Sequence, residues 1–79
     1  MRVSICDVLD AVDELGLANA EMVAWELSLL DRDIEPTWQA VEAQGYVRCA
    51  HVDAVTKEPM YGLSRRGRRR LKRCRKGQG

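Results

Sequence analysis

Phenylalanine is absent from the 79 residues, and the aromatic share of 5% comes down to two Trp and two Tyr. Any core is therefore aliphatic, and a chain of this length lies near the lower size at which a single hydrophobic core suffices. Neither a second domain nor a deep catalytic pocket is expected. No apolar run approaches the roughly 20 residues of a membrane-spanning helix, and the chain does not open on a charged segment followed by an apolar one, as a secretory signal would. Cysteine is scarce and odd in number: Cys6, Cys49 and Cys74 form no paired spacing and read as reduced thiols. No two of them stand at the short spacing of a zinc loop, even with His51 counted, so no metal and no cofactor is expected. Cys49 and His51 would share one face of a strand, but a nucleophile also needs a shaped pocket and oxyanion donors. From these absences the expectation is a cytoplasmic protein that is not an enzyme, takes no small-molecule substrate and does not enter a membrane.

The most informative absence is that of acid from residues 64–79. That stretch holds 9 Lys/Arg, whereas residues 1–63 hold 4 Lys/Arg against 12 Asp/Glu, so a body of net charge −8 carries an end of +9 although the whole chain is only +1. Such segregation suits either an arm that binds a polyanion or a tail that folds back on its own acidic surface.

Apolar spacing then divides the chain. Ser4 precedes Ile5, Val8, Leu9, Val12 and Leu15, with Asp7 three residues on as in a capping box, and Gly16 can close that helix in the left-handed conformation. Leu17 and its neighbours form a short extended link. Asn19 caps a second helix whose stripe of Ala20, Val23, Ala24, Leu27 and Leu30 faces the core. Asp31, Arg32 and Asp33 interrupt the pattern, and Pro36 suits the first turn of a third helix carrying Ile34, Trp38 and Val41, which Gly45 ends. Tyr46, Val47, Cys49 and Val52, then Met60, Tyr61 and Leu63, predict a hairpin around the turn residues Thr56 to Pro59. Ser64 offers an N-cap for a last helix with Leu71 and Cys74 on one side, its start weakened by Gly67.

Three sets of residues resemble the winged helix-turn-helix family. Val23, Ala24 and Leu27 look like the core of its second helix, and Ile34, Trp38, Val41, Gly45, Tyr46 and Val47 look like its recognition helix and the first strand of its wing. Tyr61, Leu63, Ser64 and Gly67 are similar to the end of the wing in MarR-like and PadR-like regulators. The resemblance implies an α+β fold with three helices, a β-hairpin wing and here a short basic C-terminal helix, spanning residues 1–76; from Gly77 onward the sequence itself predicts a disordered tail, 77–79. It also implies a transcriptional regulator bound to double-stranded DNA, with a third helix presenting Asp33, Glu35, Thr37, Gln39 and Ala40 to the major groove.

This third helix departs from that pattern in chemistry. Phosphate contact calls for Lys and Arg, yet none stands between Asp33 and Val47, and two acids sit at the mouth of the helix. Thr37 and Gln39 can still read base edges. Phosphate contacts are expected instead from Lys57 in the wing and from Arg65, Arg66, Arg68, Arg69, Arg70, Lys72 and Arg73, continued by Arg75 and Lys76. Four of these cations crowd the opening turns of the last helix, where the helix dipole disfavours them, so a purely structural helix would not place them there. Met22, Trp25 and Leu29 form a second apolar stripe on the second helix, opposite the first. It is expected to serve as a homodimer or partner interface, the alternative being that the last helix or the first few residues fold across it within one chain. The alternative function is a protein-interaction module that docks through its acidic third helix.

Overall fold

The computed structural model describes residues 3–78. In chain order these form α1 (Ile5–Leu15), α2 (Ala20–Glu26), α3 (Asp31–Ala43), β1 (Val47–Val52), β2 (Pro59–Leu63) and α4 (Arg65–Gln78), an α+β domain of four helices and a two-stranded antiparallel hairpin. Local capping explains where three of the helices start. The Ser4 hydroxyl accepts the Asp7 N–H at 3.1 Å, and the Asn19 side-chain oxygen accepts the Met22 N–H at 2.8 Å. The Ser64 hydroxyl accepts the Gly67 N–H at 3.0 Å and itself donates to the Gly45 carbonyl. Each satisfies an amide that the first turn of a helix leaves without an internal partner.

α1 ends at Gly16 with φ +80°, the backbone conformation that glycine adopts at least cost. The extended link that follows pairs with the hairpin: Ala18 and Tyr61 exchange both backbone hydrogen bonds, at 2.9 and 2.7 Å. Val8, Leu9, Val12, Val23, Ile34 and Val41 are fully buried between α1, α2 and α3. Trp38 joins them, its ring 5.5 Å from that of Tyr61 in an edge-to-face arrangement. Aliphatic burial from three helices thus supplies the core that the missing phenylalanines do not.

α2 is shorter than its apolar pattern predicts. It ends at Glu26, because Ser28 takes a left-handed conformation (φ +57°) and the next two amides turn back. The Ser28 N–H reaches the Trp25 carbonyl at 3.1 Å and the Leu29 N–H reaches the Ala24 carbonyl at 2.8 Å, which is a Schellman motif with serine where glycine is usual. This turn swings Leu29 onto the core and leaves Leu30 exposed, so Leu30 does not continue the core stripe and Leu29 does not share a helical stripe with Met22 and Trp25.

α3 starts five residues earlier than the proline suggests. Leu30 is its N-cap without a side-chain bond, the Asp33 and Ile34 amides both reach the Leu30 carbonyl, and Pro36 lies inside the helix. Asp31 and Asp33 in the first turn favour this start electrostatically. The missing Pro36 N–H forfeits a single bond to the exposed Arg32 turn.

β1 and β2 pair from Val47↔Leu63 to Val52↔Pro59, with one extra residue, Ala50, between Cys49 and His51. This bulge breaks the alternation that would have placed Cys49 and His51 on one face. At the tip the Asp53 carboxylate accepts the Val55 and Thr56 amides at 2.8 and 2.9 Å, and Lys57 takes φ +64°.

α4 is not short. Its 14 residues make it the longest helix, and Gly77 and Gln78, expected in a disordered tail, are its last two residues; Gly79 lies outside the described residues. The reduced-thiol reading of all three cysteines also fails, since Cys6 of α1 and Cys74 of α4 form a disulfide, their Cα atoms 5.9 Å apart, and Cys49 alone is free and exposed. Two residues separated by 68 positions carry no spacing signal, and only the docking of α4 on α1 brings them together. Gly67 does more than weaken the helix start: a Cβ there would lie 1.9 Å from the Tyr46 carbonyl oxygen. Its lack of a side chain is what lets the start of α4 lie against the Tyr46 backbone, just ahead of β1.

Candidate nucleic-acid interface

Among the α4 residues whose burial is described, three face inward strongly. Gly67, Leu71 and Cys74 are buried and, at 100° per residue, fall within about 60° of one another. Arg65, Arg66, Arg68, Arg69, Lys72, Arg73, Arg75 and Lys76 are exposed and occupy most of the remaining circumference, while Arg70 is half-buried with a guanidinium nitrogen 3.7 Å from the Cys74 sulfur. The helix is thus a narrow apolar seam with a broad cationic back.

The acidic body neutralises little of this charge. One guanidinium nitrogen of Arg75 is shared between Asp10 at 2.8 Å and Asp13 at 3.0 Å on α1, and those hydrogen bonds raise the Arg75 pKa further above its ordinary value. Among the described residues no other α4 cation lies within 4.0 Å of a carboxylate. Arg66 has its guanidinium 6.0 Å from the centre of the Tyr46 ring, a cation–π contact at the start of the helix.

The hairpin adds a residue that the sequence reading did not single out. Arg48 pairs across the strands with Gly62, one residue from the hairpin base, and with Leu63, Arg65 and Arg68 it lines an open recess of about 280 Å³. Three arginines from two elements line it beside the positive end of the α4 dipole, a combination that suits a phosphate oxygen. Nothing in the sequence marked Arg48 apart from its charge. Its partners are contributed by strand register and by the turn at Ser64.

Lys57 sits at the hairpin tip, the far end from Arg48, between the acids Asp53 and Glu58, which join backbone to backbone at 2.9 Å. Thr37 is half-buried and its hydroxyl donates to the Val3 carbonyl at 3.0 Å, so it is occupied within the fold. Gln39 is exposed, its amide 3.4 Å from a Glu35 carboxylate oxygen. Beside them, Glu35 and Glu42 of α3 share a cleft with Glu21 of α2 and Glu58 of the hairpin. The structure therefore gathers Arg48, Arg65 and Arg68, extends them along α4, and leaves Thr37, Gln39 and Lys57 apart from that group.

Met22 and Trp25 remain on the outer side of α2, with Trp25 87% exposed. The described residues contain no cluster of three or more His, Cys, Asp or Glu able to hold a metal ion. No described helix is long and apolar enough to cross a membrane. Burial against α3 and the nearby Glu42 and Cys49 raise the Tyr61 pKa, consistent with a ring held against Trp38. No family model, curated protein or solved structure matches this chain.

Proposed function

We propose that this chain is a winged-helix domain that binds double-stranded DNA through its phosphates, with α4 and the hairpin base as the contact surface, and serves as a transcriptional regulator in the cytoplasm. The order helix, paired extended link, helix, helix, hairpin supports the winged-helix reading, with the Ala18–Tyr61 bridge as its third strand position. The observation that carries the DNA reading is the cationic back of α4, where eight exposed cations have a single member paired with acid among the described residues. A helix that needed only to pack would not hold that repulsion together.

In this reading α3 is not the principal contact. Its exposed side carries Glu35 and Glu42, and Thr37 is spent on Val3. Phosphates are instead met at the Arg48, Arg65 and Arg68 recess and then along α4, whose 14 residues extend about 21 Å, the axial rise of roughly a dozen duplex phosphates. Binding of this kind is largely independent of sequence. In the cytoplasm thiol pools oppose disulfides, so there the docking of α4 must also rest on Leu71 and on the Gly67–Tyr46 crossing.

Titration of a generic duplex over a series of salt concentrations tests the proposal. Engagement of four or five phosphates gives a log–log slope near about −4. Replacing Arg48, Arg65 and Arg68 together by Ala should flatten that slope and weaken binding to all sequences alike. Undiminished affinity in the triple variant, or tighter binding to duplex RNA at equal salt, overturns it.

A further inference from the structure

On the side of the molecule formed by α2 and the hairpin lies an open cleft of about 450 Å³. Its walls are apolar: Leu15 at the end of α1, Met22 and Trp25 on α2, and Met60 on β2, the last held by an Asn19 amide 4.0 Å from its sulfur. Its rim is acidic, with Glu21 and Glu26 from α2 facing Asp53 and Glu58 from the hairpin. No Lys or Arg lines it. Trp25 is 87% exposed, an unusual state for the largest apolar side chain of a small domain, and nothing in the fold uses it. One of the rim acids is fixed in place, the Asp53 carboxylate being held by two backbone amides, while Glu21 stands in the first turn of α2.

We propose that this cleft docks a basic amphipathic segment of a partner protein, one that inserts an aliphatic or aromatic anchor against Trp25 and Met22 and lays Lys or Arg on Glu21, Glu26 and Glu58. Charge complementarity selects this occupant over a second copy of the chain. A two-fold contact through the cleft would bring the same four carboxylates of each copy together, and like charges across an interface are costly. A head-to-tail contact with the α4 of another copy would satisfy charge, but α4 has its apolar residues Leu71 and Cys74 buried and offers nothing to cover Trp25. The partner must bring cation and anchor together. The inference is independent of DNA binding, since the cleft shares no residue with the Arg48, Arg65 and Arg68 recess or with α4.

The test uses the full chain and three labelled 15-residue helical peptides: an amphipathic Leu–Lys peptide, an Ala–Lys peptide of equal charge, and a Leu–Glu peptide of the same pattern. Fluorescence anisotropy should show binding of the Leu–Lys peptide alone, with a blue shift of tryptophan emission as Trp25 leaves water. Trp25→Ala should weaken that binding about tenfold or more, as loss of a central aromatic anchor does. A combined Glu21→Gln, Glu26→Gln, Glu58→Gln variant should weaken it and reduce its salt dependence. Circular dichroism of both variants checks that they remain folded, which the exposure of all four positions favours. Equal binding of the Ala–Lys peptide, or undiminished binding to Trp25→Ala, overturns the proposal. So does sedimentation of the peptide-free wild type as a dimer that Trp25→Ala makes monomeric, because that result assigns the cleft to a second copy.

Discussion

Breaking the Cys6–Cys74 bridge should cost this domain a large part of its stability and release the end of α4 first. The bridge closes a loop spanning a separation of 68 residues. Chain-entropy bookkeeping for a loop of that size gives about 4 kcal/mol at 25 °C. A domain of 79 residues has a total stability on the order of 4–12 kcal/mol, so the loss is a third of it or more. Once the bridge is open, α4 is held by Leu71, worth roughly 2 kcal/mol for one buried leucine, by the Gly67–Tyr46 crossing, and by the exposed Arg75 pair, which contributes little. Mutual repulsion among the α4 cations opposes all three. The assay is urea unfolding of a Cys49→Ser variant, which cannot reshuffle, followed by Trp emission with and without reductant. The reduced protein should unfold at a urea concentration lower by more than 1 M, given an m-value of roughly 1 kcal/mol/M for a small domain. Hydrogen exchange should quicken in Lys72–Lys76 before it does in α1. Coincident unfolding curves, or equal loss of protection in α1 and α4, would refute the reasoning that this bridge pins the basic helix.

Gly67→Ala should destabilise by roughly 2 kcal/mol or more in thermal unfolding, since the added Cβ collides with the Tyr46 carbonyl, although helix propensity alone favours Ala by about 1 kcal/mol; a stabilised variant would show that α4 does not approach the Tyr46 backbone this closely. Backbone amides of Thr56 and Val55 hold the Asp53 pKa below its ordinary 3.8, so its support of the hairpin turn is complete above that value and disappears as pH falls through the lowered one. Acid titration of the Val55 and Thr56 amide shifts by NMR checks this, and a midpoint at or above 3.8 would contradict it. Trp25→Ala should change stability by less than about 0.5 kcal/mol, because the ring is 87% exposed, and a larger loss by calorimetry would mean that the side chain is core.

Much of the chain was legible in advance because the interactions that shape it act over three or four residues. Ser4, Asn19 and Ser64 cap helices whose starts they announce, Gly16 and Gly45 take positive φ where helices end, and Ile34, Trp38 and Val41 face the core at the spacing that predicts it. The hairpin strands and the segregation of acid from base were equally plain. The stop of α2 was not, because Ser28 supplies the left-handed residue without being a glycine, and the turn it makes puts Leu29 and Leu30 on faces that unbroken helical spacing does not predict.

What the sequence determined by itself is local: which stretches are helix or strand, which side of each is apolar, and that the last sixteen residues are a cationic strip. What the tertiary structure decided is which distant residues meet. The partnering of Cys6 with Cys74, the requirement for glycine at 67 under Tyr46, the convergence of Arg48 with Arg65 and Arg68, and the cleft that leaves Trp25 uncovered all depend on how α4 and the hairpin dock against α1 and α2. Docking angles arise from the summed packing of many side chains, and no short spacing in one chain encodes that sum.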